Sequence, residues 1–171
     1  QRALESCLRQ SRRIQSLVES VRLLEELADS PAEPEDVDLD AAIREAVASV
    51  QKEYSEREIR VEFTGAGRRV HAEPSVVAVF QHLVRNAVQH NDCEVVEIAL
   101  SARLDDSSGR WVVEVSDNGP GVPEAKRDAL FERLRARQIH GAGLGLSLVR
   151  ELLERWSGVI RARGAGAGRG A

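Results

Sequence analysis

From Leu4 to Ala28 the apolar residues Leu4, Cys7, Leu8, Ile14, Leu17, Val18, Val21, Leu24 and Ala28 recur at helical spacing, with no glycine or proline between them. The pattern predicts one long amphipathic helix. Its apolar stripe is narrow, and Arg9, Arg12, Arg13, Glu19, Arg22 and Glu25 occupy the other faces. That distribution suits the seam of a helical hairpin or bundle better than a globular core, the plainer alternative being a surface helix on its own domain. Residues 30–37 carry two prolines and three acids. They cannot continue the helix and read as a linker.

Beyond the linker the period changes repeatedly. Asp38 is placed to cap a helix running to about Tyr54, and Ile59 to Phe63 alternate as a strand. Gly65-Ala66-Gly67 reads as a turn before a short strand at Val70 to Ala72. Glu73-Pro74 opens a second helix whose buried side is Val76, Val77, Val79, Phe80, Leu83, Val84, Ala87 and Val88. Val95 to Leu104 and Trp111 to Ser116 flank the turn signal Asp105-Asp106-Ser107-Ser108-Gly109 and should pair as an antiparallel hairpin. A glycine-proline loop follows at Asn118 to Pro123, then a short helix through Phe131, an arginine-rich stretch to His140, and a glycine cluster. A helix to about Trp156 and a last strand at Val159 to Ala162 complete the order. It predicts an α+β fold, a two-layer sandwich of a mixed sheet covered on one face by helices and preceded by the long helix. The expected units are residues 1–29, the linker 30–37, and one domain over 38–171.

Composition narrows this picture. A chain of 171 residues, 42% hydrophobic, supports one ordinary core plus an appendage. The net charge of -4 arises from basic and acidic residues mixed along the whole length, so no face is built to neutralise a nucleic-acid backbone. Cys7 and Cys93 are too few for a disulfide framework and lack metal-ligand spacing, which fits a reducing cytoplasm. No run of about 18 apolar residues could span a bilayer, although a longer parent need not be soluble.

Three segments carry polar and glycine residues at the ends of regular elements. In the first, His82 to Asn91, Asn86 interrupts an apolar helix, and a local backbone-bridging asparagine is the bland explanation. The second, Asp117-Asn118-Gly119-Pro120-Gly121-Val122, also reads as an ordinary turn. Functionally, an ionised Asp117 there could accept from the exocyclic amine of adenine, with Gly119 and Gly121 letting the backbone approach the base. The third, Gly141-Ala142-Gly143-Leu144-Gly145-Leu146, precedes a helix, where free N–H groups and the positive dipole end attract phosphate. Its spacing matches neither a Walker loop nor a dinucleotide fingerprint.

Together and in this order, Asn86, the Asp117-x-Gly119-x-Gly121 loop, Phe131 and the Gly141 to Leu146 cluster resemble the N, G1, F and G2 boxes of sensor histidine kinases. These belong to the ATP-binding superfamily shared with DNA gyrase, the ninety-kilodalton heat-shock chaperone and the MutL proteins, whose fold is the Bergerat type. The resemblance spans roughly residues 37 to 163. The leading helix and linker resemble the second helix of the kinase dimerisation hairpin.

The resemblance implies ATP and magnesium as ligands, with Asn86 giving an oxygen to the metal and His90 and Val122 beside the nucleotide. It makes Pro123 to His140 a lid in which Phe131 fixes the closed form and Arg133, Arg135, Arg137 and His140 approach phosphates. It further implies a cytoplasmic domain, a homodimeric parent, a histidine-bearing helix as phosphoacceptor and a response-regulator receiver as the next partner.

The acceptor motif itself is missing. None of His71, His82, His90 and His140 lies in a hairpin context, so an acceptor must lie outside these residues or on another chain. Gln89 and His90 stand where the family often has a basic residue and a tyrosine, Ala142 replaces a common threonine or serine, and the glycine-rich tail replaces a further apolar strand. The related ATPases place a glutamate four residues before the magnesium asparagine as general base; here that position is His82, which disfavours hydrolysis. A nucleotide-binding or dimerising scaffold without catalysis is the third reading.

Overall fold

Asp38 closes one element and opens the next, because its Oδ1 accepts from the Ala41 N–H at 3.0 Å and so caps the helix that follows. The computed structural model describes residues 33–65, 67, 69–123 and 144–162, together with Ser11 and Val18. Its elements are β1 (Glu35–Asp38), α1 (Leu39–Glu53), β2 (Glu58–Thr64), β3 (Arg69–Ala72), α2 (Val76–Gln89), β4 (Val95–Asp105), β5 (Arg110–Asp117) and α3 (Leu144–Arg155). Ser11 and Val18 are helical and exposed. The rest of the expected leading helix, Phe131 and its short helix, the lid arginines, His140 and Gly141 to Gly143 lie outside the described residues.

β4 is the middle of a mixed sheet, parallel to β2 and antiparallel to β5. Alternation decides which side is dry: Val96, Ile98, Leu100 and Ala102 are buried, while Glu97, Ala99 and Arg103 face out. Ile59, Val61 and Phe63 from β2 and Trp111, Val113 and Val115 from β5 pack on the same core. Among the described residues the helices lie on that side, α1 against α2 and α2 against α3. Leu39, Ala42, Ile43, Ala46 and Val50 bring the inner face of α1 down on it. Each fully buried valine or leucine there contributes about 1.5–3 kcal/mol. A second cluster, Val79, Leu148, Val149 and Leu152, glues α3 to α2.

Two expectations change. Glu35, Asp36 and Val37, read as the end of a linker, pair with Ala72, His71 and Val70 as a separate two-stranded antiparallel ribbon. Such an acidic stretch has little strand propensity of its own; the edge of β3 supplies the partner, assisted by the Arg69 guanidinium donating to the Asp36 carbonyl. Conversely, Val159 to Ala162 forms no strand, and Val159 is 68% exposed. Its apolar Ile160 packs instead on the cluster between α2 and α3.

Polar contacts hold α2 at its flank and its end. Arg85 reaches the Glu53 carboxylate with two nitrogens, at 2.8–3.2 Å, in the α1–α2 seam. Gln89 donates to the Tyr54 hydroxyl at 2.8 Å, so its side chain is turned into that seam. Arg57 donates to the carbonyls of Val88, Asn91 and Cys93 at 2.6, 3.0 and 2.9 Å, capping the C-terminus of α2 with a positive charge. His82, 7% exposed, sits where α3 crosses α2, and burial, then the nearby Arg85 charge, lowers its pKa to about 4.

Arg57→Ala strands the last carbonyls of α2, and its urea unfolding midpoint should correspond to a loss of about 2–4 kcal/mol; a midpoint like that of the parent would remove Arg57 from the framework. For His82 the folded value lies below the unfolded one, so its contribution is full above about pH 6.5 and declines as pH falls toward about 4. The loss is on the order of 3 kcal/mol, and His82→Gln should remove that component from the pH–stability curve measured by denaturant melts.

Candidate nucleotide site

Helix geometry puts His82, Asn86 and His90 in one line, since residues four apart share a face and eight positions span about 12 Å. Exposure grades along this line, from buried His82 through half-buried Asn86 to exposed His90. At the buried end lies Gly145 in the first turn of α3: a Cβ built there would stand 3.0 Å from His82 Nδ1. At the exposed end lies Asp117, close enough that the His90 charge acts on its carboxyl. One face of α2 therefore meets both glycine-bearing segments that the sequence singled out.

The Asp117 loop is shaped by its own side chains. Gly119 N–H donates to Asp117 Oδ1 at 2.7 Å. A Cβ at Gly119 would fall 2.6 Å from the same oxygen and 3.3 Å from Asn91 Nδ2, so glycine is required by clearance over the carboxylate. Gly121 has φ +67°, a conformation that side chains resist. Gly121 and Val122 are half-buried. Burial pushes the Asp117 carboxyl above its ordinary range, opposed by the Gly119 hydrogen bond and by His90. A half-buried carboxylate that holds one N–H donor keeps acceptor capacity for an amine.

Residues that the sequence reading left aside hold this loop in place. Asn118 Oδ1 accepts from Asn91 Nδ2 at 2.7 Å and from Glu97 N–H at 3.0 Å, while its Nδ2 donates to the Val95 carbonyl at 3.1 Å. Asn91, 2% exposed, also accepts from the Cys93 N–H at 2.9 Å, and its own carbonyl is one of the three held by Arg57. The chain of contacts from Arg57 through Asn91 to Asn118 locks the end of α2 to the residue beside Asp117. Asn118 lies inside a string that reads as a turn, and Asn91 pairs with it across 27 positions, so nothing local in the sequence marks either role.

The glycine cluster differs from expectation in its phase. Helix α3 already begins at Leu144, so Gly145 and Leu146 lie inside its first turn, half-buried, instead of in a loop before it. Among the described residues no group of three His, Cys, Asp or Glu side chains could hold a metal ion, and Asn86 brings a neutral amide to the middle of the line. Among them, too, no helix is long and apolar enough to cross a membrane.

Comparison with known proteins agrees with this architecture. Residues 71–171 match the model of the histidine kinase-, DNA gyrase B-, and HSP90-like ATPase family. The signal transduction histidine-protein kinase ArlS of Staphylococcus aureus (strain USA300) is 24% identical over 163 residues, which cover 86% of this chain and 36% of that protein. The chain thus spans about a third of the length of the curated relatives it matches. Among solved structures, the catalytic domain of histidine kinase ThkA is 25% identical with a TM-score of 0.66, covering 80% of this chain and 91% of that one. A mycobacterial sensor histidine kinase, MprB, gives 25% identity and a TM-score of 0.66 over 79% of this chain and 89% of that one. Full-length ShkA, solved in complex with AMPPNP, reaches a TM-score of 0.71 at 25% identity, covering 99% of this chain and 37% of that one. The match over most of the domain, on top of the mixed sheet and its one-sided helices, means that the chain belongs to the histidine kinase-, DNA gyrase B-, and HSP90-like ATPase family, with the fold of a histidine-kinase catalytic domain.

Proposed function

We propose that this domain is the ATP-binding catalytic part of a sensor histidine kinase, transferring the terminal phosphoryl group of ATP to a histidine outside the described residues. The observation that carries the reading is the single face of α2, which meets the Asp117 loop at one end and the first turn of α3 at the other. In this reading Asp117 accepts from the adenine amine, Gly119 and Gly121 shape the wall beside the base, and the N–H groups opening α3 at Leu144, Gly145 and Leu146 take the phosphates. Asn86, between the two ends, holds magnesium by its oxygen, and the triphosphate brings the remaining ligands and the charge. A neutral ligand is sufficient there, in keeping with a site that has no carboxylate cluster of its own among the described residues.

Phosphoryl transfer asks the protein for position and charge stabilisation more than covalent chemistry, and magnesium supplies much of the latter. Phe131, Gly141, Ala142 and Gly143 complete the nucleotide contacts, with Pro123 to His140 as the lid. The parent protein pairs through its leading helices, presents an acceptor histidine on a neighbouring helix, and passes the phosphoryl group to a response-regulator receiver. Hydrolysis is the poorer alternative: the base position belongs to His82, whose Nδ1 is packed against Gly145 and whose lowered pKa makes it a weak acceptor.

The test is an equilibrium titration with a fluorescent ATP analogue, with and without magnesium. Asp117→Asn should weaken binding roughly ten- to a hundredfold, the cost of one charge-assisted hydrogen bond. The same variant should melt no lower than the parent at neutral pH. Burial raises the Asp117 pKa, so its contribution to stability is full below the ordinary carboxylate value and is lost as pH rises through the folded value; at neutral pH the buried charge is a cost that asparagine removes. Binding runs the other way, and affinity should fall as the pH drops through the raised Asp117 pKa. Asn86→Ala should weaken only the magnesium-dependent part. Equal affinity of parent and Asp117→Asn would end the adenine assignment. Transfer is checked by adding a separate hairpin peptide with an acceptor histidine and measuring acid-labile phosphate; steady release of free phosphate without the peptide would favour an ATPase.

A further inference from the structure

His82 is buried, lies one helical turn before Asn86, and takes no part in the contacts so far assigned to the nucleotide. Its imidazole edge lies against Gly145: the built Cβ would be 3.0 Å from Nδ1, 3.7 Å from Cγ and 3.8 Å from Cε1. At 7% exposure the ring has no open solvent into which it could withdraw. A side chain at position 145 would therefore press on a confined ring, and the cheapest relief is for the first turn of α3 to move away from α2. Those two helices are otherwise held by the apolar cluster Val79, Leu148, Val149 and Leu152 and by an ion pair at 3.5 Å from Arg155, ten residues along α3 from Gly145, to Glu73 in the turn that opens α2; neither contact sets the spacing at the first turn of α3 itself.

We propose that His82 is a positioning residue for the phosphate side of the site: its imidazole seats against the bare Cα of Gly145 and sets how closely the first turn of α3 approaches the Asn86 face of α2. The inference rests on the nucleotide reading above and adds the part that spaces its two phosphate-facing elements. The ring contributes shape at this contact, and the glycine is the complementary absence of shape.

The full chain is titrated with magnesium ATP and, separately, with adenosine, which has the base and sugar but no phosphate. Gly145→Ala should weaken ATP at least about tenfold while leaving adenosine within about twofold. Equal weakening of both ligands overturns the proposal, because it marks a general structural defect. In a His82→Ala background the ring is gone, and Gly145→Ala should then cost ATP less than about threefold; additive effects of the two substitutions overturn the proposal. His82→Asn gives the same comparison if His82→Ala does not fold. Asp117→Asn separates this idea from the reading it rests on. If that variant weakens neither ligand, the nucleotide site itself is wrong. If it weakens both while the His82–Gly145 pair is additive, only the positioning role fails.

Discussion

The guanidinium of Arg57 closes the C-terminus of α2, and that one set of charge-assisted hydrogen bonds governs where the rest of the candidate site can be. A helix end leaves carbonyls without partners, and here they are met by a residue from the turn between α1 and β2. Because one of the three carbonyls belongs to Asn91, the cap also fixes the segment whose side chain holds Asn118. The position of Asp117 is thus tied to the end of the helix that carries Asn86 by hydrogen bonds and not by hydrophobic contact. Apolar packing could tolerate a slide of an ångström or so; this chain of directional contacts does not.

Stability and site chemistry pull in opposite directions at Asp117. Its carboxyl is partly desolvated and has one N–H donor, from Gly119, together with the charge of His90. A fold selected only for stability would place a neutral side chain there or bring in a second donor. The unspent acceptor capacity is what an adenine amine would use. At the other end of the same helix face, His82 is also buried at a cost, which shows up as its lowered pKa. Two titratable groups, His82 on α2 and Asp117 at the end of β5, are thus shifted in opposite senses, while the Glu53–Arg85 pair on the helix flank offsets its own burial by bidentate contact.

Much of this arrangement was legible in the chain. The helical period over Val76 to Val88, the alternating strands either side of Asp105 to Gly109, and the cap at Asp38 are local signals, and the structure places elements there within a residue or two. The parallel pairing of β2 with β4 was legible only as a mixed sheet, because register depends on contacts distant in sequence. Residues 35–38 have no apolar alternation, so their strand exists through β3 and could not be read from their own composition. The apolar beginning of Val159 to Ala162 suggests a strand, but Ile160 packs on the α2–α3 cluster and strand propensity alone does not decide the outcome. Among site residues, Asn86 and Asp117 stood out since a polar residue in an apolar context needs a reason. Arg57 and Asn91 did not, as the carbonyls that Arg57 holds and the Asn118 that Asn91 holds lie more than 25 residues away.

Glycine illustrates the same limit. Gly119, Gly121 and Gly145 look alike in the sequence, where each suggests backbone freedom. Gly121 alone of the three uses it, in a left-handed conformation. Gly119 is needed because a carboxylate occupies the space a Cβ would take, and Gly145 because an imidazole does. In both cases the neighbour is a titratable side chain next to Asn86 or the Asp117 loop, so the glycines record where polar groups must approach the backbone closely. A glycine-rich motif in this fold is accordingly a statement about two elements at once. Gly145 carries information about α2 as much as about α3, and the contact that explains it lies more than sixty positions away along the chain.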